Sequence, residues 1–307
     1  MRRVLLWAAR NRWLRDRVPR LWFARRAVRR FMPGERLEDA LDGAERLKAT
    51  GIGALFTHLG ENLVEASEAD AVSAHYLDAL ERIRARGIDG EISVKLTQLG
   101  LDLDAGLARR HLAALATRAR ELDAGLVWID MEGSAYTEAT VALYEELLPE
   151  HPNLGICLQA YLRRTAADVR RLLPRGPHIR MVKGAYDEPE RIAYRSRAEV
   201  DASYLAQCIV ILTDGRERAG RLGLGTHDVR LIEQVAAAAE VAGIGPEAYE
   251  VEMLYGIRVD RQRRLAAAGY PTRTLIAYGE FWYPWYVRRL AERPANVAFV
   301  LRQMLPW

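Results

Sequence analysis

The chain has 307 residues and a formal net charge of +4, with half of its residues hydrophobic. That length fits one large domain or two ordinary ones, and no apolar run approaches the ~20 residues of a membrane span. Residues 1–36 hold twelve arginines against Asp16 and Glu35, so the remainder is slightly acidic and a general nucleic-acid role is disfavoured. Cys157 and Cys208 lie in apolar contexts without metal-ligand spacing and read as buried thiols of a cytoplasmic protein.

Residues 1–35 form a basic arm in which arginine alternates with Trp7, Trp13, Trp22 and Phe23. Such a composition suits helices lying on an anionic membrane surface, or helices packed on the rest of the chain or on a second subunit. Pro19 divides the arm in two. Residues 36–307 read as one domain, with 3.6-residue apolar spacing predicting helices over 36–50, 63–86, 106–124 and 229–243. Short apolar runs recur at 52–59, 92–96, 126–132, 154–160, 179–184, 222–227, 249–254 and 273–278. Near-continuous apolar strands alternating with helices predict a parallel sheet, and eight such units predict a (β/α)8 TIM-like barrel. A doubly wound open sheet is the alternative, but no GxGxxG turn follows any strand. The segment "WYVRRLAERPANVAFVLRQML" supplies two last helical stretches.

Barrel chemistry sits at the C-terminal strand ends. The polar residues there are His58, Glu61, Lys95, Gln98, Asp130, Glu132, Gln159, Lys183, Thr226, His227, Asp228, Glu252 and Tyr278. For any one of them the bland reading is a mutual salt-bridge network, but together they point to a ligand site. The chain has only three lysines, and while Lys48 reads as a helix-surface charge, Lys95 and Lys183 follow apolar strand runs. There a compact ammonium does what arginine does not. Lys95 and Asp130, on neighbouring strands, would offer a small polar substrate a donor and an acceptor. A Schiff-base lyase using Lys183 or Lys95 is a second reading. The adjacent Arg288 and Arg289 could grip a carboxylate, or bond as solvated residues to Glu280 or Glu292. "RMVKGAY", with Arg180 and Lys183 before Gly184 and Ala185, would let amides and cations approach a dinucleotide pyrophosphate. His58 and His227 lack metal spacing, so no metal site is expected.

The ordered set "VKLTQLGLDLD", "IDMEGSAYT", "LQAYLRRTAADV", "RMVKGAYDEP", "THDVRLI", "EMLYG" and "YGEFWYPWYVRRLAERPAN" resembles proline dehydrogenase in its bacterial single-function form. It also resembles the corresponding domain of proline utilisation A. The resemblance implies a distorted (β/α)8 barrel that binds FAD and oxidises L-proline to Δ1-pyrroline-5-carboxylate, with electrons passed to a membrane quinone. It implies a catalytic pair, Asp130 and Arg180, with Arg180 near the flavin and stabilising its reduced anionic form. Substrate contacts would come from Lys95, Tyr186, Leu254, Leu275, Tyr278, Arg288 and Arg289. Flavin contacts would come from Met131, Gln159, Arg180, Val182, Lys183, Gly184, Ala185, Thr226, His227 and Glu292. A cytoplasmic protein, peripheral at the inner face of the membrane, would follow.

Two segments, "RTLIAYGEF" and "YEVEML", depart from the family pattern. Leu275 and Ala277 replace a tyrosine and a proline, the tyrosine being one that packs over the substrate ring. Glu252 replaces a glutamine. The shorter wall at Leu275 allows a modified or larger cyclic imino acid, such as hydroxyproline or pipecolate, unless Tyr278 fills the space. An inactive membrane-peripheral scaffold without flavin is the remaining rival.

Overall fold

The computed structural model describes residues 7–8, 11–22, 24, 28–60, 63–215 and 220–292, apart from the side chains of Arg12, Asp16, Arg288, Leu290, Ala291 and Glu292. The eight expected strands close into one parallel barrel in sequence order. They are β1 (Gly53–His58), β2 (Gly90–Val94), β3 (Val127–Ile129), β4 (Leu154–Gln159), β5 (His178–Val182), β6 (Leu222–Gly225), β7 (Tyr249–Leu254) and β8 (Thr272–Tyr278). Closure is made by β8 against β1, with Leu275 opposite Leu55 and Tyr278 opposite His58. The open-sheet alternative is thereby excluded.

The four helices expected from periodicity are Leu37–Lys48, Ala66–Ala85, Ala105–Glu121 and Val229–Val241. Four more follow strands: Ser134–Leu147, Thr165–Leu172, Arg197–Thr213 and Val259–Ala267. Asp104 caps the start of Ala105–Glu121 by accepting from the Gly106 amide at 2.9 Å. One face of each strand meets this helical layer, so Phe56, Val94, Ile129, Ile156, Met181, Val251 and Ile276 share a core with Leu80, Leu112, Val141, Leu172 and Ile232. Both strand faces are therefore buried, which explains the unbroken apolar runs. Cys157 and Cys208 are buried and free.

The last described helix, Trp282–Glu292, lies against the arm. Ala24, Val28 and Met32 share a buried cluster with Trp282, Tyr283, Trp285, Tyr286 and Val287. Trp282 donates its indole N–H to Glu35 at 2.9 Å. Pro19 sits in a short 3-10 turn, Val18–Arg20, directly after the helix Arg12–Arg17. The carbonyl of Arg30 rests on Gly256, where an added Cβ would lie 1.5 Å from that oxygen, and the positive φ of 72° there suits glycine. The second half of "WYVRRLAERPANVAFVLRQML" lies outside the described residues, as do Phe23 and Glu61. No helix among the described residues is long and apolar enough to cross a membrane.

Candidate active site

Side chains alternate along a strand, so residues two apart share the barrel interior. At the N-terminal end this interior is closed by charge. Arg221 bonds both oxygens of Glu91 at 2.6 and 2.5 Å, while Arg273 bonds Glu250 at 3.1 Å and Asp89 at 2.9 Å. Every member has an opposite partner, as buried charge requires. Trp128 donates to Glu91 at 2.8 Å, and its ring meets the guanidiniums of both Arg221 and Arg180, 5.5 and 5.0 Å from its centre.

One layer higher, Arg180 reaches across the barrel. Its Nη2 donates to Asp130 at 2.7 Å and to the Ser93 hydroxyl at 2.6 Å, and its Nη1 donates to Glu252 at 3.0 Å. Ser93 in turn donates to Asp130 at 2.7 Å. Burial alone would weaken the guanidinium's charge, but Glu252 and Asp130 hold it firmly protonated. Burial pushes the Glu252 carboxyl up to about 7, with Arg180 pulling it down and Glu250 pushing it up. The second Glu252 oxygen, Oε1, meets no donor among the described residues and lies where a Cβ on Gly223 would be, at 2.3 Å.

Just past the end of β2, Lys95 is buried, its Nζ 3.9 Å from Asp130 Oδ2. It lines a cavity with Gly60, Phe281, Pro284, Trp285 and Arg15 of the arm. Beside it, burial and the charges of His75 and Lys95 lower His58 to about 4. Leu275 packs with Leu55, Leu126 and Trp128 inside the barrel, and Leu254 touches the cluster formed by the arm and the last helix.

Lys183 follows the end of β5 and is held outside the barrel. Its ammonium donates to Asp201 at 2.5 Å and to Asp228 at 3.0 Å, in the helix and loop outside the mouth. Burial alone would raise Asp228, but bonds from Lys183 and Arg197 hold it down at about 2. Here the mutual salt-bridge reading applies, and Lys183 is not displayed as a nucleophile.

The loops after β4 and β5 are zipped together. Ala160 N bonds Val182 O at 2.8 Å, Tyr161 N bonds Lys183 O at 2.9 Å, and Tyr194 N bonds Tyr161 O at 2.8 Å. Gly184 has a φ of 110°, and its bare Cα lies under the Tyr161 ring. Ala185 and Tyr186 follow it half-buried, and Thr226 and His227 close the same side after β6. Gln159 donates its amide to the carbonyls of Met131 at 3.1 Å and Glu132 at 3.3 Å. The Met131 side chain itself turns into the helix-facing core.

Tyr278 does not line the mouth. Leu275 and Ala277 share one face of β8, which sends Ile276 and Tyr278 to the other. There the Tyr278 hydroxyl meets His75 Nε2 at 2.9 Å on the surrounding helix. It therefore does not fill space left by Leu275. Arg289 is half-buried on the last helix, whereas the side chains of Arg288 and Glu292 lie outside the described residues. Sequence reasoning missed Ser93, Trp128 and His75. Two of them were within reach, since Ser93 precedes Lys95 by two residues and Trp128 precedes Asp130 by two.

Comparison with known proteins agrees along the whole chain. A family model described as proline dehydrogenase matches residues 40–302. Proline dehydrogenase 1 of Bacillus subtilis is 35% identical over 305 residues, covering 99% of each chain. Proline dehydrogenase of Deinococcus radiodurans is 35% identical over 281 residues, covering 90% of this chain and 89% of its own. The structure of proline utilization A from Bdellovibrio bacteriovorus superposes with a TM-score of 0.81 at 25% identity, over 90% of this chain. This chain spans only 34% of that larger protein. The match in fold, length and sequence makes the chain a member of the proline dehydrogenase family, an oxidoreductase acting on a CH–NH bond.

Proposed function

We propose that the protein oxidises L-proline to Δ1-pyrroline-5-carboxylate with FAD held at the C-terminal mouth of the barrel, and passes the electrons to a quinone. The observation that carries this reading is the Lys95–Asp130 pair, 3.9 Å apart beside a cavity in a chain of this family. The residues present fit a flavin. Gln159 Oε1 is a buried acceptor with no donor among the described residues, and a heterocycle N–H would satisfy it. The Cβ position of Gly184 is filled by the Tyr161 ring, which holds the 183–185 backbone in one shape.

When bound, the flavin would take the hydride from the ring carbon beside the substrate nitrogen. The chain's own part is position and charge. Arg288 and Arg289 would hold the carboxylate, while Lys95 and Asp130 present a donor and an acceptor beside the ring. Leu275 offers an apolar wall. Leu254 and Tyr186 would complete the pocket, while Val182, Thr226, His227 and the 183–185 backbone would contact the flavin.

The test is an anaerobic absorbance spectrum of the purified protein before and after L-proline. A yellow protein whose flavin band bleaches is expected. Bleaching only with hydroxyproline or pipecolate would move the substrate and leave the flavoenzyme. A colourless protein that FAD cannot reconstitute, or one trapped by borohydride through a lysine, would overturn the reading in favour of a lyase or an inactive scaffold.

We also propose that the arm touches an anionic membrane. Its outer side displays Trp7, Trp13 and Trp22, which are 61%, 63% and 74% exposed, and Arg17, Arg20, Arg29 and Arg30 accompany them. Phe281, at the rim of the cavity, is 64% exposed. Vesicle co-sedimentation should show binding to anionic lipid that weakens with salt. Equal binding to neutral vesicles would contradict the electrostatic part.

A further inference from the structure

Glu252 is a buried acid whose two oxygens have different surroundings. Oε2 holds Arg180 at 3.0 Å, and Oε1 has no donor among the described residues and lies on the bare Gly223. Buried carboxylate oxygens are normally bonded, so Oε1 is the place where a proton can reside. Arg180 is shared between Glu252 and Asp130, and Lys95 stands near Asp130. These four groups sum to zero charge when both carboxylates are ionised, and to +1 when Glu252 is protonated.

We propose that Glu252 is a positioning residue for the redox reaction: through Arg180 it sets the charge that the barrel presents to the flavin, and it takes up a proton when the flavin is reduced. This rests on the flavoenzyme reading above. A bound flavin would receive two electrons and one proton with the hydride and so gain one negative charge. A proton from water then settles on Glu252 Oε1, which frees Arg180 from one of its two carboxylates and leaves positive charge facing the new anion. When two electrons leave for the quinone, the proton that came with the hydride would leave too, and the Glu252 proton would return to water as the quinol takes its second proton from water.

The charged and titratable groups around Glu252 are known from each packed element. They are Arg180 on β5, Glu250 on β7, Arg221 before β6, Arg273 at the position of β8 paired with Glu252, and Tyr204 from the helix Arg197–Thr213. Asp130, after β3, and Cys157, on β4, reach it through Arg180. Arg221 is already bonded to Glu91. Burial raises Tyr204 and Cys157, so neither yields a proton near neutrality. Glu252 is the group of this set placed to exchange one there, and the burial that pushes it up supports the assignment.

The experiment is a redox titration of the holoenzyme flavin from about pH 6 to about pH 9, on the natural chain and on E252Q. Glutamine keeps the shape and an acceptor for Arg180, so folding is preserved. At the alkaline end E252Q should be about tenfold easier to reduce, a midpoint about 30 mV higher. The natural protein should show a change of slope near neutrality, from up to about half a proton more taken up per two electrons, and E252Q should lack it. That slope is visible in the natural protein without any variant. Equal potentials and equal slopes would overturn the proposal, as would a variant altered only in melting temperature. A protein that bleaches with proline while its potentials match E252Q refutes this inference alone. A protein that cannot hold flavin removes the flavin reading and this one together.

Discussion

Replacing Arg180 by methionine is expected to lower the melting temperature by about 10 °C and kcat/KM for proline by ~100-fold or more. The guanidinium is 3% exposed and is the only cation that the structure bonds to Glu252 among the described residues. Its loss half-strands Asp130 in a low-dielectric interior and leaves Glu252, already pushed up by burial, an unpaired acid that must take a proton, and breaking a buried pair from one side costs about 3–5 kcal/mol. The cation–π contact with Trp128 is lost as well. Methionine fills similar volume, so the loss is electrostatic rather than a cavity. The double variant R180M/E252Q separates the two effects, because it removes the unpaired acid and should recover part of the melting temperature but little of the activity. Thermal unfolding alongside steady-state kinetics checks this. A single variant that melts with the natural protein would mean that Glu252 and Asp130 do not depend on Arg180.

The second large effect belongs to Gly184. Alanine there should cost about 3 kcal/mol and strip the protein of most of its flavin. Two penalties add: a φ of 110° lies where L-residues are strained, and the new Cβ would sit 2.1 Å from Tyr161 Cδ1. The Tyr161 ring has little room to give way, being buried and tied by its backbone to the loop after β5. A companion change, Tyr161→Leu, should return part of the stability by removing the clash while leaving the backbone strain. The ratio of visible to protein absorbance gives flavin content directly. Full content and unchanged melting in G184A would show that the two loops rearrange freely.

The barrel was legible because burial on both faces writes each parallel strand as an unbroken apolar run, and the eight runs fall within a few residues of the observed strands. The place of Lys95 and Asp130 was legible for the same reason, as polar residues at strand ends. The partners of Arg180 were not, because which side chains meet across a closed barrel depends on strand stagger, to which local spacing is blind. Lys183 shows the limit from the other side. Its strand was right, but the carboxylates that take its ammonium come from a distant helix and loop. Tyr278 was within reach, since Leu275 and Tyr278 are three residues apart and a strand sends such a pair to opposite faces. The short helices Thr165–Leu172 and Val259–Ala267 carry too few turns for periodicity to declare them.

The arm has a consequence for anyone handling this protein. It is a sheet of aromatic padding with two sides, Met32 and its neighbours turned in and Trp7, Trp13 and Trp22 turned out. Trimming the chain to begin at Arg36 would delete the sticky outer tryptophans. It would also uncover Trp282, Trp285 and Tyr286 and leave the Trp282 indole without Glu35. One greasy patch would be exchanged for another, nearer the mouth of the barrel. Polar replacements at Trp13 and Trp22 one at a time are the gentler way to a less adhesive protein, because they leave the inner side of the padding in place.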